Sequence, residues 1–372
     1  ERTHGVAADV SERVYEMIMG FSGFGFPKAH GAAFGLLAYQ STWLRVHYGP
    51  EFLCALLNEQ PMGFYASDTL VHEAQRRGIA LLGADVNASE VTCTTDGADV
   101  RIGLGYVNGV RSDEVAALVE ARAAGGPFRS LGDLASRAGA GRPALAQLAW
   151  AGACDALRGG HTSRREILWE LGIAAPGAPV QDGTQLSLPL DVPDAPELRE
   201  LEPWEAMIAD YATTGLTLGS HPMALLRPQL PAGTVSCRDL EALGHDARVR
   251  IGGLVVARQR PGTAKGIVFI LIEDEFGTVN LIVPPPVYER HRLLVRSEPL
   301  MLAEGRLEKL AAAGGGINVF VENLLPLKAP KGVDAEVVSL EERARREAEA
   351  AELADFRTVA PAVQSFASGR RR

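Results

Sequence analysis

The sequence predicts a multidomain α+β chain, helical through its first half, then a β-barrel and a C-terminal helix. Three observations carry that expectation. The apolar periodicity is helical up to about residue 230 and changes to two from Arg248 onward. A Pro-rich stretch without periodicity, 174–200, interrupts it. And 372 residues, 47% hydrophobic and 22% charged, suffice for two to four domains with cores of their own.

Composition bounds what the chain does. No apolar run approaches the roughly 18 residues needed to span a bilayer, and no secretory signal opens the chain. Cys54, Cys93, Cys154 and Cys237 show neither CxxC spacing nor His pairing, so neither a zinc site nor a disulfide framework is expected, and a reducing cytoplasm fits. A net charge of -9 argues against a uniformly basic coat, so any nucleic-acid contact must come from local patches. The chain opens on Glu1, not Met, in what reads as mid-domain sequence; a fragment or C-terminal half is expected.

Taken in order, Val10, Val14, Met17 and Ile18 form a helical stripe ending at Gly20, read as a core helix. A Gly-rich aromatic turn follows (Phe21, Gly23, Phe24, Gly25, Phe26), then the step Pro27-Lys28-Ala29-His30. Ala33, Leu36, Leu37, Trp43 and Leu44 mark the buried face of the next helix, which stops at Gly49; Pro50 starts another over 51–57. Lys28 and His30 thus share one turn, either an anion site or a solvated corner. Past Pro61-Met62-Gly63, Ser67 caps a helix carrying Leu70, Val71 and Ala74 and closed by Gly78. His72 and Glu73 on it are expected in solvent. Short extended pieces are read at 79–82 and 100–104.

Segment 103–137 has the pattern of a helix-hairpin-helix. Gly109 separates Asn108 from Val110, and the following helix buries Val115, Leu118 and Val119. Such a turn lets backbone amides at a helix N-terminus approach a phosphate without reading bases. Arg111 stands where many hairpins have a second Gly; it either adds a phosphate contact or blocks the approach. A second hairpin is read over 138–157, around Gly139, Gly141 and Pro143, with Leu145, Leu148 and Trp150 inside. The linker 174–200 contains Gln185-Leu186-Ser187-Leu188-Pro189-Leu190, alternating leucines that suit either a partner's groove or a strand docked on the chain itself. Trp204, Met207, Ile208 and Tyr211 give 201–230 one apolar face.

From Arg248 to about 330, five or so strands with a short helix over 287–294 read as an OB-fold barrel. Gly252-Gly253 is expected to coil the first strand, and Asp274 to Gly277 to make a hairpin turn. Arg258, Arg260 and Lys265 line the loop after the first strand; Phe269 and Arg306 are expected to stack on bases and meet phosphate. Ser339 and Glu342 cap a charged helix, and 357–372 is expected to be disordered.

The stretch 21–65 resembles the fingers region of bacterial C-family DNA polymerases, the DNA polymerase III alpha subunits, and its continuation to residue 89 is similar to their error-prone, ImuC-type branch. The tracts around 152–171 and 201–230 are similar to the same branch, and 185–190 to short clamp-binding peptides of bacterial polymerases. The resemblance implies that Lys28 and His30 lie near the incoming nucleotide. Ala29 replaces a Ser of many relatives and Pro27 an Asn of replicative ones, so any contact of that Ser hydroxyl is absent.

It further implies a chain divided into a fingers remainder (1–90), a tandem helix-hairpin-helix domain (91–173), the linker with its clamp peptide (174–200), a bridging segment (201–247), the OB domain (248–330) and the charged helix with tail (331–372). The expected partners are primer-template DNA, deoxynucleoside triphosphate, a sliding clamp and the accessory proteins of a mutagenic cassette, with no membrane. Polymerases of this kind hold Mg2+ with palm carboxylates upstream of the fingers. Asp96, Asp99, Asp191 and Asp194 sit in loops and do not form such a group, so Mg2+ is expected outside this chain and no catalytic residue or metal ligand within it. The implied function is the DNA-binding portion of a translesion polymerase; a palm-less DNA-binding or clamp-adaptor protein and a tRNA-binding OB protein are the alternatives.

Overall fold

The computed structural model describes residues 8–22, 28–62, 66–158, 163–175, 196–310, 316–328, 360 and 364–367. It divides into two compact units, Glu1–Phe52 and Leu53–Arg372.

The first unit holds helices α1 (Ala8–Ser22) and α2 (Lys28–His47) and the start of α3 (Gly49–Asn58). The corner falls where the Gly49-Pro50 pair predicts it. The expected buried face does not form within this unit: no residue of α2 is buried, with Leu36 58% and Trp43 43% exposed, and Val10, Val14 and Met17 of α1 are exposed too. Two helices and the opening of a third enclose too little volume for a core.

In the second unit, Leu53, Cys54 and Leu57 at the end of α3 pack with Val71 and Ala74 of α4 (Ser67–Arg76). They lie over a small sheet of β1 (Leu81–Leu82), β2 (Thr94–Asp96) and β3 (Asp99–Arg101), ordered β1-β3-β2. His72 on α4, expected in solvent, is 4% exposed, because the barrel and the bridging segment meet that side of the helix.

Four helices follow: α5 (Ser112–Gly125), α6 (Leu131–Arg137), α7 (Arg142–Trp150) and α8 (Arg164–Ala174). Val115, Leu118, Leu134, Leu145, Leu148, Ile167 and Leu171 form their core. Ser130 and Ser163 start α6 and α8 by accepting the Asp133 and Arg165 amides, at 3.1 and 3.3 Å. The bridge contains α9 (Pro203–Thr214), stopped by left-handed Gly215, and α10 (Pro222–Leu226). As the spacing predicts, Trp204, Met207, Ile208 and Tyr211 are buried, here against Met223, Leu226 and the barrel residues Leu254 and Leu300.

The barrel strands are β4 (Arg248–Arg260), β5 (Val268–Asp274), β6 (Gly277–Val283), β7 (Leu300–Leu310) and β8 (Gly316–Pro326), with α11 (Pro285–Arg290) and α12 (Arg292–Ser297) between β6 and β7. They follow the order β5-β6-β8-β7-β4, closed by pairing of β4 with β5, and β6 with β8 is the parallel pair. This is the five-stranded OB-type barrel. The Asp274 to Gly277 turn forms as expected. β4 carries a bulge between Val255 and Ala257, just past the Gly252-Gly253 pair.

The tail is a correction. Gln364–Ala367, within the stretch expected to be disordered, forms β9, parallel to Ala257–Arg260 of β4. β7 pairs with β4 only as far as Leu254, so the end of β4 offers an open edge for another strand. The charged helix predicted after Ser339 lies outside the described residues.

Candidate nucleic-acid interface

Two turns define the helical part of the interface. Gly109 precedes α5 and Gly139 precedes α7, at φ +81° and +63°, a region that disfavours any side chain. They pack reciprocally. A Cβ on Gly109 would meet Gln147 of α7 at 3.2 Å, and one on Gly139 would meet Ala117 of α5 at 3.2 Å. Each turn therefore rests on the helix that follows the other.

One carboxylate ties the two turns together. Glu114 accepts the Arg111 amide on Oε2 at 3.1 Å and the Gly141 amide on Oε1 at 3.0 Å, bridging the N-termini of α5 and α7. The expected phosphate-facing turn is thus internally satisfied at two of its amides: Arg111 by Glu114, and Val110 by Val107 O at 3.4 Å. The Arg111 side chain is exposed, with Nε 2.9 Å from Asp113 Oδ1. Glu114→Ala leaves two helix N-termini without their acceptor, and a loss of about 1–2 kcal/mol in urea denaturation is expected. Gln in its place keeps one acceptor oxygen and turns its NH2 group on the other amide, so an intermediate loss is expected.

The barrel presents a row the sequence only half revealed. Gln259, Phe269, Ile282, Phe320, Arg306 and Arg248 are successive cross-strand partners around it. Their chain neighbours Val268, Ile270, Leu281, Val283, Val319, Val321 and Leu307 are buried, so the row lies on the outer face. Phe269 is half-buried; Phe320 is 42% exposed and Arg248 and Arg306 are exposed. Two aromatic rings and two guanidinium groups in one register suit stacked bases beside phosphates. Arg306 also pairs with Glu322 at 2.8 Å, which raises its already high pKa.

Phe320 and Arg248 were missed by sequence reading. Phe320 comes beside Phe269 through Ile282 of β6, and Arg248 beside Arg306 through the β4–β7 pairing, long-range registers that periodicity does not reveal.

Of the three cations expected in the loop after the first strand, Arg258 and Arg260 lie in β4 itself, because that strand runs on to Arg260, and only Lys265 is in the loop. Arg258 is half-buried and donates from Nη2 to Glu298 O, and burial pulls its pKa down, opposed by Glu298. Arg260 lies 4.6 Å from the Tyr288 ring centre, and Lys265 is exposed at φ +49°. Arg258→Ala is expected to lower stability by about 1 kcal/mol and leave the salt dependence of DNA binding unchanged; a titration in 50–300 mM salt separates the two.

Lys28 is the first residue of α2 and exposed; His30, also exposed, tilts onto Phe34 with ring centres 4.3 Å apart. Pro27 and the clamp-like Gln185, Leu186, Leu188 and Leu190 lie outside the described residues, as do Asp191 and Asp194. Asp96 and Asp99 pair across the β2–β3 turn, and Asp96 faces Arg101 at 3.7 Å. Among the described residues the one group of three metal-type side chains is His72, His221 and Glu273, two imidazoles to one carboxylate, a donor set that does not suit a Mg2+ pair.

Comparison with known proteins fits this arrangement. Residues 78–167 match the helix-hairpin-helix motif family. Over 347 residues the chain is 40% identical to an error-prone DNA polymerase of Anaeromyxobacter dehalogenans, covering 89% of this chain and 29% of that protein. An error-prone DNA polymerase of Mycobacterium tuberculosis is 40% identical over 325 residues, 86% of this chain and 29% of its own. A solved asparaginyl-tRNA synthetase from Pyrococcus horikoshii overlaps 30% of this chain and 27% of its own at 25% identity, with a TM-score of 0.22, too slight a likeness to carry any argument.

Proposed function

The chain belongs to the error-prone branch of the C-family DNA polymerases, spanning about three tenths of the length of the relatives it matches, and from that premise we propose that it is the part that grips DNA. The observation that carries the reading is the tandem hairpin, two Gly turns joined through Glu114, in a chain that also presents the aromatic and basic row of the barrel. The hairpins hold duplex by its backbone, and the barrel holds the single-stranded template by stacking.

In the intact enzyme, Lys28 and His30 face the incoming nucleotide, and 185–190 binds the sliding clamp. DNA synthesis across damage takes place in the cytoplasm with Mg2+ held by residues outside this chain. These assignments draw on the resemblance to the family, and the chain alone is expected to bind DNA without extending it.

The test is binding of the chain to a labelled primer-template with a single-stranded overhang, across a salt series. Arg248→Ala combined with Arg306→Ala is expected to reduce the log-log salt slope by roughly 0.7 for each single-strand phosphate that the guanidinium groups no longer neutralise. An unchanged slope removes the barrel row from the reading. A chain that prefers folded RNA to primer-template overturns the reading itself.

A further inference from the structure

Helices α4, α9 and α10 and strand β5 meet around a buried polar cluster that the DNA-binding reading does not use. His72 of α4 is at its centre. Its Nδ1 is 3.4 Å from Glu273 Oε2 on β5, and its Nε2 is 3.6 Å from Asp68 Oδ1, one turn back on α4. Asp68 also accepts the Tyr211 hydroxyl of α9 at 2.7 Å and the Thr217 amide at 3.0 Å. Glu273 accepts Arg76 Nη1 at 2.6 Å. Asp68, His72 and Glu273 are 1%, 4% and 1% exposed.

His221, which precedes α10, closes the cluster. Its ring centre is 4.6 Å from that of His72, and its Nδ1 accepts the Met223 amide at 3.1 Å. That bond places the ring proton of neutral His221 on Nε2, a buried atom with no hydrogen-bond partner. His221 therefore lacks a free lone pair for a cation, and Arg76 adds positive charge beside Glu273. Three metal-type side chains gather here, but their protonation closes the site to metal.

The same geometry suits a proton. Both ring nitrogens of His72 face carboxylates, and Asp68 and Glu273 against Arg76 leave one negative charge that an imidazolium balances. We propose that His72, charged and held between Asp68 and Glu273, is a proton-operated tie that seats the barrel on α4 and the bridging helices, and that loss of its proton loosens that seat. This rests on the junction alone and is independent of the DNA-binding reading.

The two carboxylates set the sign. Burial disfavours the charge on His72, but Asp68 and Glu273 more than offset it and its pKa is raised, with Arg76 opposing. Burial also raises Asp68, against His72, the Thr217 amide and Tyr211. Tyr211 is held well above its ordinary range by burial and Asp68, with Asp210 behind it. Burial, His72, Arg76 and Arg227 keep His221 neutral. Asp274, beside Glu273, is paired with Arg227 at 3.2 Å. A group whose folded pKa is raised contributes stability that is fully present below its unfolded value, about 6.5 for His, and lost as pH rises through the folded value.

The experiment uses the whole chain. The His72 ring resonance is followed by NMR from pH 5 to 9, with hydrogen exchange of the Thr217 and Met223 amides corrected for intrinsic rate. Expected is a His72 midpoint above 6.5, with amide opening that rises up to tenfold per pH unit between 6.5 and that midpoint and then levels. His72→Gln flattens this rise, and Glu273→Gln, which keeps the imidazole, lowers the midpoint. A His72 midpoint at or below 6.5, an unchanged rise in His72→Gln, or opening that responds to added Zn2+ or to a chelator overturns the proposal.

Discussion

Replacing Gly305 by alanine will cost the barrel about 3 kcal/mol or more of stability, the largest single-residue effect expected outside the deep core. A Cβ at this position would lie 2.1 Å from Phe320 O and 2.9 Å from Phe320 C, both backbone atoms of the partner strand. Nothing flexible stands there to move aside. Gly305 sits at the bulge where β7 shifts register against β8, so relief requires the two strands to part. Urea denaturation with Gly219→Ala as control, a site with nothing within 4 Å of the added carbon, provides the comparison. Equal midpoints would show that β7 and β8 do not pair in this register.

The second large effect falls on nucleic-acid affinity. Phe269→Ala with Phe320→Ala is expected to weaken binding to a single-stranded oligonucleotide by about 2–6 kcal/mol, since each base deprived of its aromatic platform costs about 1–3 kcal/mol. Both rings lie on the outer face, next to Ile282 in the row, so the barrel should keep its fold; far-ultraviolet circular dichroism checks this. The loss should be nearly independent of salt, because stacking releases no counterions, whereas removal of Arg248 and Arg306 changes the slope. A double variant that binds as tightly as the parent moves the single-strand site off this face.

What the sequence revealed follows from the range of each interaction. The helix corner at Gly49-Pro50 and the turn at Gly277 depend on neighbours a few residues away, whereas the cap read at Ser67 does not form, because Ser67 is already the first residue of α4 and Ala66 precedes it with no side-chain bond. The two hairpins are legible for the same reason as the corner: glycine at positive φ before an apolar helix is a local signature. The role of Glu114 is not, since one of its two acceptor bonds reaches Gly141 in the next hairpin. His72 looked like a surface histidine because its helix is polar on that side; only β5 and the residue before α10, distant in sequence, bury it. The apolar side of α2 shows the reverse. Its spacing is that of a packed helix, yet the unit that contains it buries none of its residues.

β4 is shared by most of the barrel: its first half pairs with β7 from Arg248↔Arg306 to Leu254↔Leu300, its second with β5, and its end with β9. The β4–β5–β6 meander and the β7–β8 hairpin pair locally, and the β4–β7 and β6–β8 pairings that join them are the long-range ones. During synthesis the meander leaves the ribosome as a three-stranded sheet with both edges open, and it stays so until β7 and β8 have emerged to close the ring. Pairings between strands so far apart in sequence are slow to form, and open edges are where nascent chains pair wrongly. For this chain the interval between translating Val283 and translating Pro326 is the period of greatest exposure to aggregation, and the point at which a chaperone would matter most.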